Sequence, residues 1–172
     1  SDATDGPTFF AMANGSFGDL DGDGKLDYTA GTSGARSSLT LVTNIKLPSE
    51  HHLSAWRAGS GTFLSAFPRV VEDFQFFMNP AIADLDGDGT PEIIAGTGGY
   101  LLHAVDWLGR QPEGWPKFTG GWLLASPAVG DVDGDGLLEV IVTTREGQLY
   151  VWNTNGPTQV GGRPAVQWQK FH

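Results

Sequence analysis

The chain has 172 residues, 40% of them hydrophobic, with 25 Gly, 10 Pro and no Cys. A net charge of −10, from 20 acidic and 10 basic residues that nowhere cluster as Lys/Arg, leaves no basic face for nucleic acid and disfavours electrostatic attachment to anionic lipid. Absence of cysteine excludes a disulfide framework and thiolate metal sites, and no apolar run approaches the ~20 residues of a membrane-spanning helix.

Charged residues make up 17% of the chain against a typical ~25%, and glycine is enriched. That balance, with 19 aromatic residues (6 Trp, 3 Tyr, 10 Phe), predicts short strands joined by tight turns rather than a helical bundle. No signal peptide opens the chain, so the sequence reads as a mature product or a fragment.

In chain order, the first strand signal is Gly15-Ser-Phe-Gly18, followed by Asp19-Leu-Asp21-Gly-Asp23-Gly-Lys25-Leu-Asp27 and the strand-like Tyr28-Thr-Ala-Gly-Thr32. Ser38 to Thr43 reads as a further strand, and Asn44 to His52 as an inserted surface loop. Val70 to Phe77 comes nearest to a helical period and is too short for one. The pattern then restarts. Asn79-Pro-Ala-Ile-Ala83 leads into Asp84-Leu-Asp86-Gly-Asp88-Gly-Thr90-Pro-Glu92, Ile93 to Thr97, and Tyr100 to Asp106. A third copy runs from Ser126-Pro-Ala-Val-Gly130 through Asp131-Val-Asp133-Gly-Asp135-Gly-Leu137-Leu-Glu139 to Val140–Thr144 and Gln148–Trp152. Gly98-Gly99, Glu146-Gly147 and Asn155-Gly-Pro157 mark turns. Ala165 to Phe171 reads as the outer strand of the third unit.

Each acidic segment spells D-x-D-G-D-G-x-x-[D/E], and the starts lie 65 and 47 residues apart. Four short antiparallel strands recurring at this period predict an all-β chain of β-propeller blades, over residues 1–76, 77–122 and 123–172, each with its acidic loop between the first two strands. Ring closure takes about 4–8 blades, so three are expected to form part of a ring. A fragment of a six- to eight-bladed propeller, completed by the same polypeptide, is the first expectation; a self-assembled oligomer is the second.

Twelve of the 20 acids fall in these loops. Four carboxylates in one tight turn repel at roughly 1–4 kcal/mol per pair at 4 Å, depending on local dielectric, so the loop calls for a cation. An oxygen-only donor set suits Ca²⁺ better than a soft metal, and better than Mg²⁺ with its small octahedral cage. Glycines at loop positions four and six allow positive φ, so the backbone can curl round an ion. An EF-hand is rejected, because position twelve is Ala30, Ala95 and Val142 and the flanks are strands.

The loops, with their Pro-Ala-Ile/Val lead-in and Ile/Val-rich exit, resemble FG-GAP (VCBS-type) repeats, the calcium-binding blades of integrin α-subunit propellers and of bacterial secreted proteins. Phe17-Gly18 matches the Phe-Gly pair of that family, whereas its Gly-Ala-Pro element is not clear here. The resemblance implies three Ca²⁺ sites. Their ligands would be Asp19, Asp21, Asp23, Asp27 and the Lys25 carbonyl; Asp84, Asp86, Asp88, Glu92 and the Thr90 carbonyl; and Asp131, Asp133, Asp135, Glu139 and the Leu137 carbonyl. It also implies an extracellular module with a protein or glycan partner, in line with the charge and hydropathy reading that expects no nucleic acid and no membrane insertion.

Other chemistry is thinner. Gly31-Thr-Ser33-Gly-Ala35 falls short of a nucleophile elbow at Ala35 and reads as a strand exit. Glu50-His51-His52 reads as exposed loop, and His103 as a strand residue. Trp107, Trp115, Trp122, Trp152 and Trp168 stand near unit ends, including a W-x-K-F pair at Trp115 and Trp168. They are expected between sheets, with glycan stacking as the alternative. The rival function is the propeller part of a secreted polysaccharide lyase or peptidase.

Overall fold

The computed structural model describes residues 3–8, 14–75 and 77–168. Among the described residues, three antiparallel sheets of three or more strands follow one another along the chain. The first contains β1 (Pro7–Thr8), β2 (Gly15–Gly18), β3 (Asp27–Gly34), β4 (His51–Trp56) and β5 (Arg69–Val71). Here β2 pairs with the first half of β3 and β1 with its last two residues, so together they occupy one edge of the order β3-β4-β5. The second sheet runs β6 (Ala81–Ala83), β7 (Glu92–Gly96), β8 (Leu101–Val105) and β9 (Lys117–Phe118). The third has three strands, β10 (Ala128–Gly130), β11 (Leu137–Thr143) and β12 (Leu149–Pro157).

Beyond β12 the structure corrects the sequence expectation. The chain makes a two-stranded hairpin, β13 (Gln159–Val160) with β14 (Arg163–Pro164), and then β15 (Val166–Trp168) pairs with β6 of the second sheet. The segment beginning at Ala165 is therefore an edge strand of sheet two, not the outer strand of sheet three. The rest of the second W-x-K-F stretch lies outside the described residues.

A second correction is α1 (Ala35–Thr43), a helix where Ser38 to Thr43 reads as a strand. Its first amides are satisfied from far away in sequence: Ala35 N–H donates to Gly6 C=O at 2.7 Å and Arg36 N–H to Asp5 Oδ2 at 3.2 Å. Asn44 closes it in the left-handed conformation at φ 57°, donating to Thr40 C=O at 2.9 Å. The connection from β3 to β4 is thus a helix followed by a short loop, and His51 and His52, expected at the end of the inserted loop, open β4 instead.

Alternation along the strands splits the core in two. Leu20, Leu53 and Ala55 from sheet one pack on Ile82, Ile93, Ala95 and Val105 from sheet two. The opposite face of sheet two, with Ala81, Ala83, Ile94, Leu102 and Ala104, packs on Val129, Leu138, Val140 and Val142 of sheet three. Trp107 and Trp168 pack against the first cluster and Trp115 and Trp152 against the second, the inter-sheet role expected for them. Trp122 lies under the Arg145 guanidinium, 5.1 Å from its ring centre.

Candidate metal centres

All three acidic segments form the connection between the first two paired strands of a sheet: β2–β3, β6–β7 and β10–β11. Their backbones are near copies. In each, the first Asp accepts from the amide five residues on (Gly24 3.1 Å, Gly89 2.8 Å, Gly136 3.0 Å). The second Asp accepts from the third (Asp23 3.2 Å, Asp88 3.1 Å, Asp135 3.2 Å). The third accepts from position seven (Lys25 2.9 Å, Thr90 2.7 Å, Leu137 2.8 Å). The glycines at positions four and six have φ between 77° and 88° in every copy, a conformation costly for a residue bearing Cβ.

This wrapping turns carboxylates inward. Asp19, Asp21 and Asp23 bring ligand-type oxygens within 4.8 Å of one another, as do Asp84, Asp86 and Glu92, and Asp131, Asp133 and Glu139. The acid at position nine braces each loop from the following strand. Glu92 Oε2 accepts from Leu85 N–H at 2.8 Å, Glu139 Oε2 from Val132 N–H at 2.9 Å, and Asp27 Oδ2 from Leu20 N–H at 3.3 Å. Asp27 is one methylene shorter than Glu92 and Glu139, and its other oxygen accepts from Ala58 N–H at 2.8 Å, so backbone amides engage both its oxygens. The Lys25 ammonium turns back to Asp23 at 2.8 Å.

Two carboxylate oxygens in these loops, Asp19 Oδ1 and Glu139 Oε1, are buried without a hydrogen-bond partner. Glu139 is only 1% exposed, and burying an anionic oxygen without a donor or a cation is unfavourable. Burial pushes Glu92 up to about 8, reinforced by the negative charges of Asp86, Asp84 and Asp88 against the lowering pull of the Leu85 amide. Burial also raises Asp86 and Asp27. Converging hard oxygens, partnerless carboxylate atoms and charge frustration fit a divalent hard cation.

Sequence reasoning passed over two arginines. Arg57, just after β4, meets Asp21 Oδ2 at 2.5 Å. Arg110, held by buried Asp106 at 2.6 Å, reaches Asp88 Oδ2 at 3.2 Å. Asp86, Asp88, Glu92, Asp106 and Arg110 line a cavity of about 140 Å³ beside the second loop. Neither arginine is near its loop in sequence, so only the strand pairing could have revealed it.

The end of β12 and the chain beyond it also touch every loop. Thr158 N–H donates to Gly136 C=O, Asn155 N–H to Leu85 C=O, Asp84 N–H to Ala165 C=O, and Asp19 N–H to Gln167 Oε1.

Elsewhere the geometry corrects two expectations. His52 is fully buried and meets Glu50 at 3.1 Å, so Glu50-His51-His52 is not an exposed loop. Ser33 does lie at a strand-to-helix junction, since β3 ends at Gly34 and α1 starts at Ala35; it is 2% exposed and paired in register with His51.

Residues 124–152 match the FG-GAP repeat family. The match spans the third loop with β10, β11 and the first four residues of β12, the unit whose register the other two sheets repeat. No curated protein sequence matches the chain. Among the described residues, no helix is long and apolar enough to cross a membrane.

Proposed function

We propose that the chain is a calcium-loaded β-propeller module that acts outside the cell in protein interaction, adhesion or structural assembly. The observation that carries this reading is the threefold repetition of one loop geometry, with inward carboxylates, glycines at positive φ and the partnerless oxygens of Asp19 and Glu139. The FG-GAP match on the third unit supports it, because such repeats occur in propeller-type extracellular proteins. Asp19, Asp21 and Asp23, then Asp84, Asp86 and Glu92, then Asp131, Asp133 and Glu139 would hold the ions. Bound calcium would supply charge neutralisation and cross-linking of each loop, a structural role rather than a chemical one. The tryptophans taken up between the sheets favour this reading over a lectin using the same rings.

Native mass spectrometry with calcium titration tests the reading. Three ions per chain are expected, and two for Asp133→Ala. Zero or one ion on the unaltered chain in saturating calcium overturns it.

A further inference from the structure

The three loops are alike in backbone but differ in the cations that already stand beside them. Position ten of each loop pairs with a residue of the strand that follows: Tyr28 with Trp56 on β4, Ile93 with Val105 on β8, and Val140 with Trp152 on β12. The next residue along is therefore carried toward the loop. It is Arg57 in sheet one, Asp106 in sheet two and Asn153 in sheet three.

These three residues leave very different charge at the loops. Arg57 Nη1 meets Asp21 Oδ2 at 2.5 Å, and the Asp21 side chain is only 5% exposed. A pair so shielded from water is held more strongly, and screened less by salt, than one on the open surface. Lys25 adds a weaker, exposed contact to Asp23 at 2.8 Å. In loop two Arg110 reaches Asp88 at 3.2 Å, but its shorter bond, 2.6 Å, is to Asp106. The Asp106 charge offsets it, so loop two gains no net cation. Among the described residues, no ion pair reaches Asp131, Asp133, Asp135 or Glu139 of loop three.

Position nine separates loop one in the same sense. Glu92 and Glu139 each spend one oxygen on a backbone amide and join the converging ligand-type oxygens of their loops. Asp27 spends both oxygens on the Leu20 and Ala58 amides, and the converging oxygens of loop one come from Asp19, Asp21 and Asp23.

We propose that Arg57 is a resident cation of loop one, so that this loop takes up calcium last of the three and only by displacing the guanidinium from Asp21. The inference rests on the calcium reading above and gives its three sites an order. Arg57 does not replace the ion outright, because Asp19 Oδ1 stays buried without a partner. Loops two and three fill first. Loop one answers to higher calcium, and its filling releases a guanidinium at the turn where Arg57 N–H donates to Thr62 C=O.

The amides of Gly24, Gly89 and Gly136 each donate to the first Asp of their own loop, so each reports one site when calcium chloride is titrated into the full chain and followed by NMR. The Gly24 midpoint should lie above the other two by about tenfold, the least that giving up one charge-assisted hydrogen bond makes in a dissociation constant. Arg57→Gln should lower the Gly24 midpoint by about the same factor and leave those of Gly89 and Gly136 in place. Asn153→Arg, on an exposed strand position, should raise the Gly136 midpoint alone, and it decides the matter if Arg57→Gln does not fold by circular dichroism. Coincident midpoints in the parent chain overturn the proposal, as does a Gly24 midpoint that Arg57→Gln leaves unmoved or shifts together with the others. A Gly136 midpoint indifferent to Asn153→Arg overturns it too. Three ions of equal affinity would sink this inference and leave the calcium reading standing, whereas no response at any loop would sink both.

Discussion

Glu92 shows at the level of one residue how the loops work. In the metal-free fold its carboxyl is held protonated up to about 8, whereas an ordinary glutamate gives up its proton near 4.5. Between those values the folded state binds more protons than the unfolded state, so this group makes stability fall as pH rises from about 4.5 to about 8. Above that range its contribution is level. A bound divalent cation would take the place of the proton. Glu92→Gln keeps a carbonyl oxygen for the Leu85 amide and has no proton to lose. In chelator it should flatten the slope of stability against pH, leaving the part that comes from Asp27 and Asp86, which burial also raises. Thermal unfolding from pH 5 to 9 checks this, and an unchanged slope in the variant would count against it. Calcium should release protons from the parent chain near pH 7, seen as a buffer-dependent heat, and fewer from Glu92→Gln.

At the scale of elements, the loops and the hairpins around them were legible because their determinants are local. The Asx-type bonds, the positive-φ glycines and the flanking strands all fall inside one D-x-D-G-D-G stretch and its immediate neighbours. The helix α1 was not legible, because what starts it is not local. Gly34 stands at its N-terminus with no side-chain cap, and the capping carboxylate is Asp5, 31 residues before Arg36. A run of Ser, Thr, Leu and Val is ambiguous until that cap is supplied. Asn44 as a left-handed C-cap was the local clue passed over. The displaced strand β15 has the same cause: its likeness to Trp115–Phe118 suggested an equivalent place, but pairing with β6 is decided by a contact over 80 residues away in sequence. Asp5→Ala should therefore cost about 1 kcal/mol, the usual worth of an N-cap. The loss should appear as faster hydrogen exchange at the Arg36 amide, with Asp5→Asn retaining most of the protection. Equal exchange in parent chain and Asp5→Ala would show that α1 does not depend on this cap.

At the scale of the whole molecule, the charge distribution decides how stability depends on ions. Net charge is −10, and three divalent ions would bring it to −4. Monovalent salt and calcium should relieve this repulsion differently. At 1 M salt the screening length is about 3 Å, so repulsion between separate loops is largely removed. Within a loop the ligand-type oxygens lie inside 4.8 Å of one another, and partly buried charges at such range are screened far less. Calcium held as proposed would act on that second part. At one hundred times its dissociation constant each site contributes about 2.7 kcal/mol, so three independent sites offer about 8 kcal/mol. For a chain of this size each 1 kcal/mol moves the midpoint by about 2–4 °C, a combined shift on the order of 20 °C. Because the segment from Asn155 to Gln167 is hydrogen-bonded to all three loops, relief at one loop should steady the others, and unfolding in calcium should be a single transition. The expected outcome is that chelated protein in 1 M sodium chloride recovers less than half of the midpoint shift that millimolar calcium produces at low salt. Equal recovery by sodium chloride would mean that diffuse negative charge, and not the three loops, sets the ion dependence of the fold.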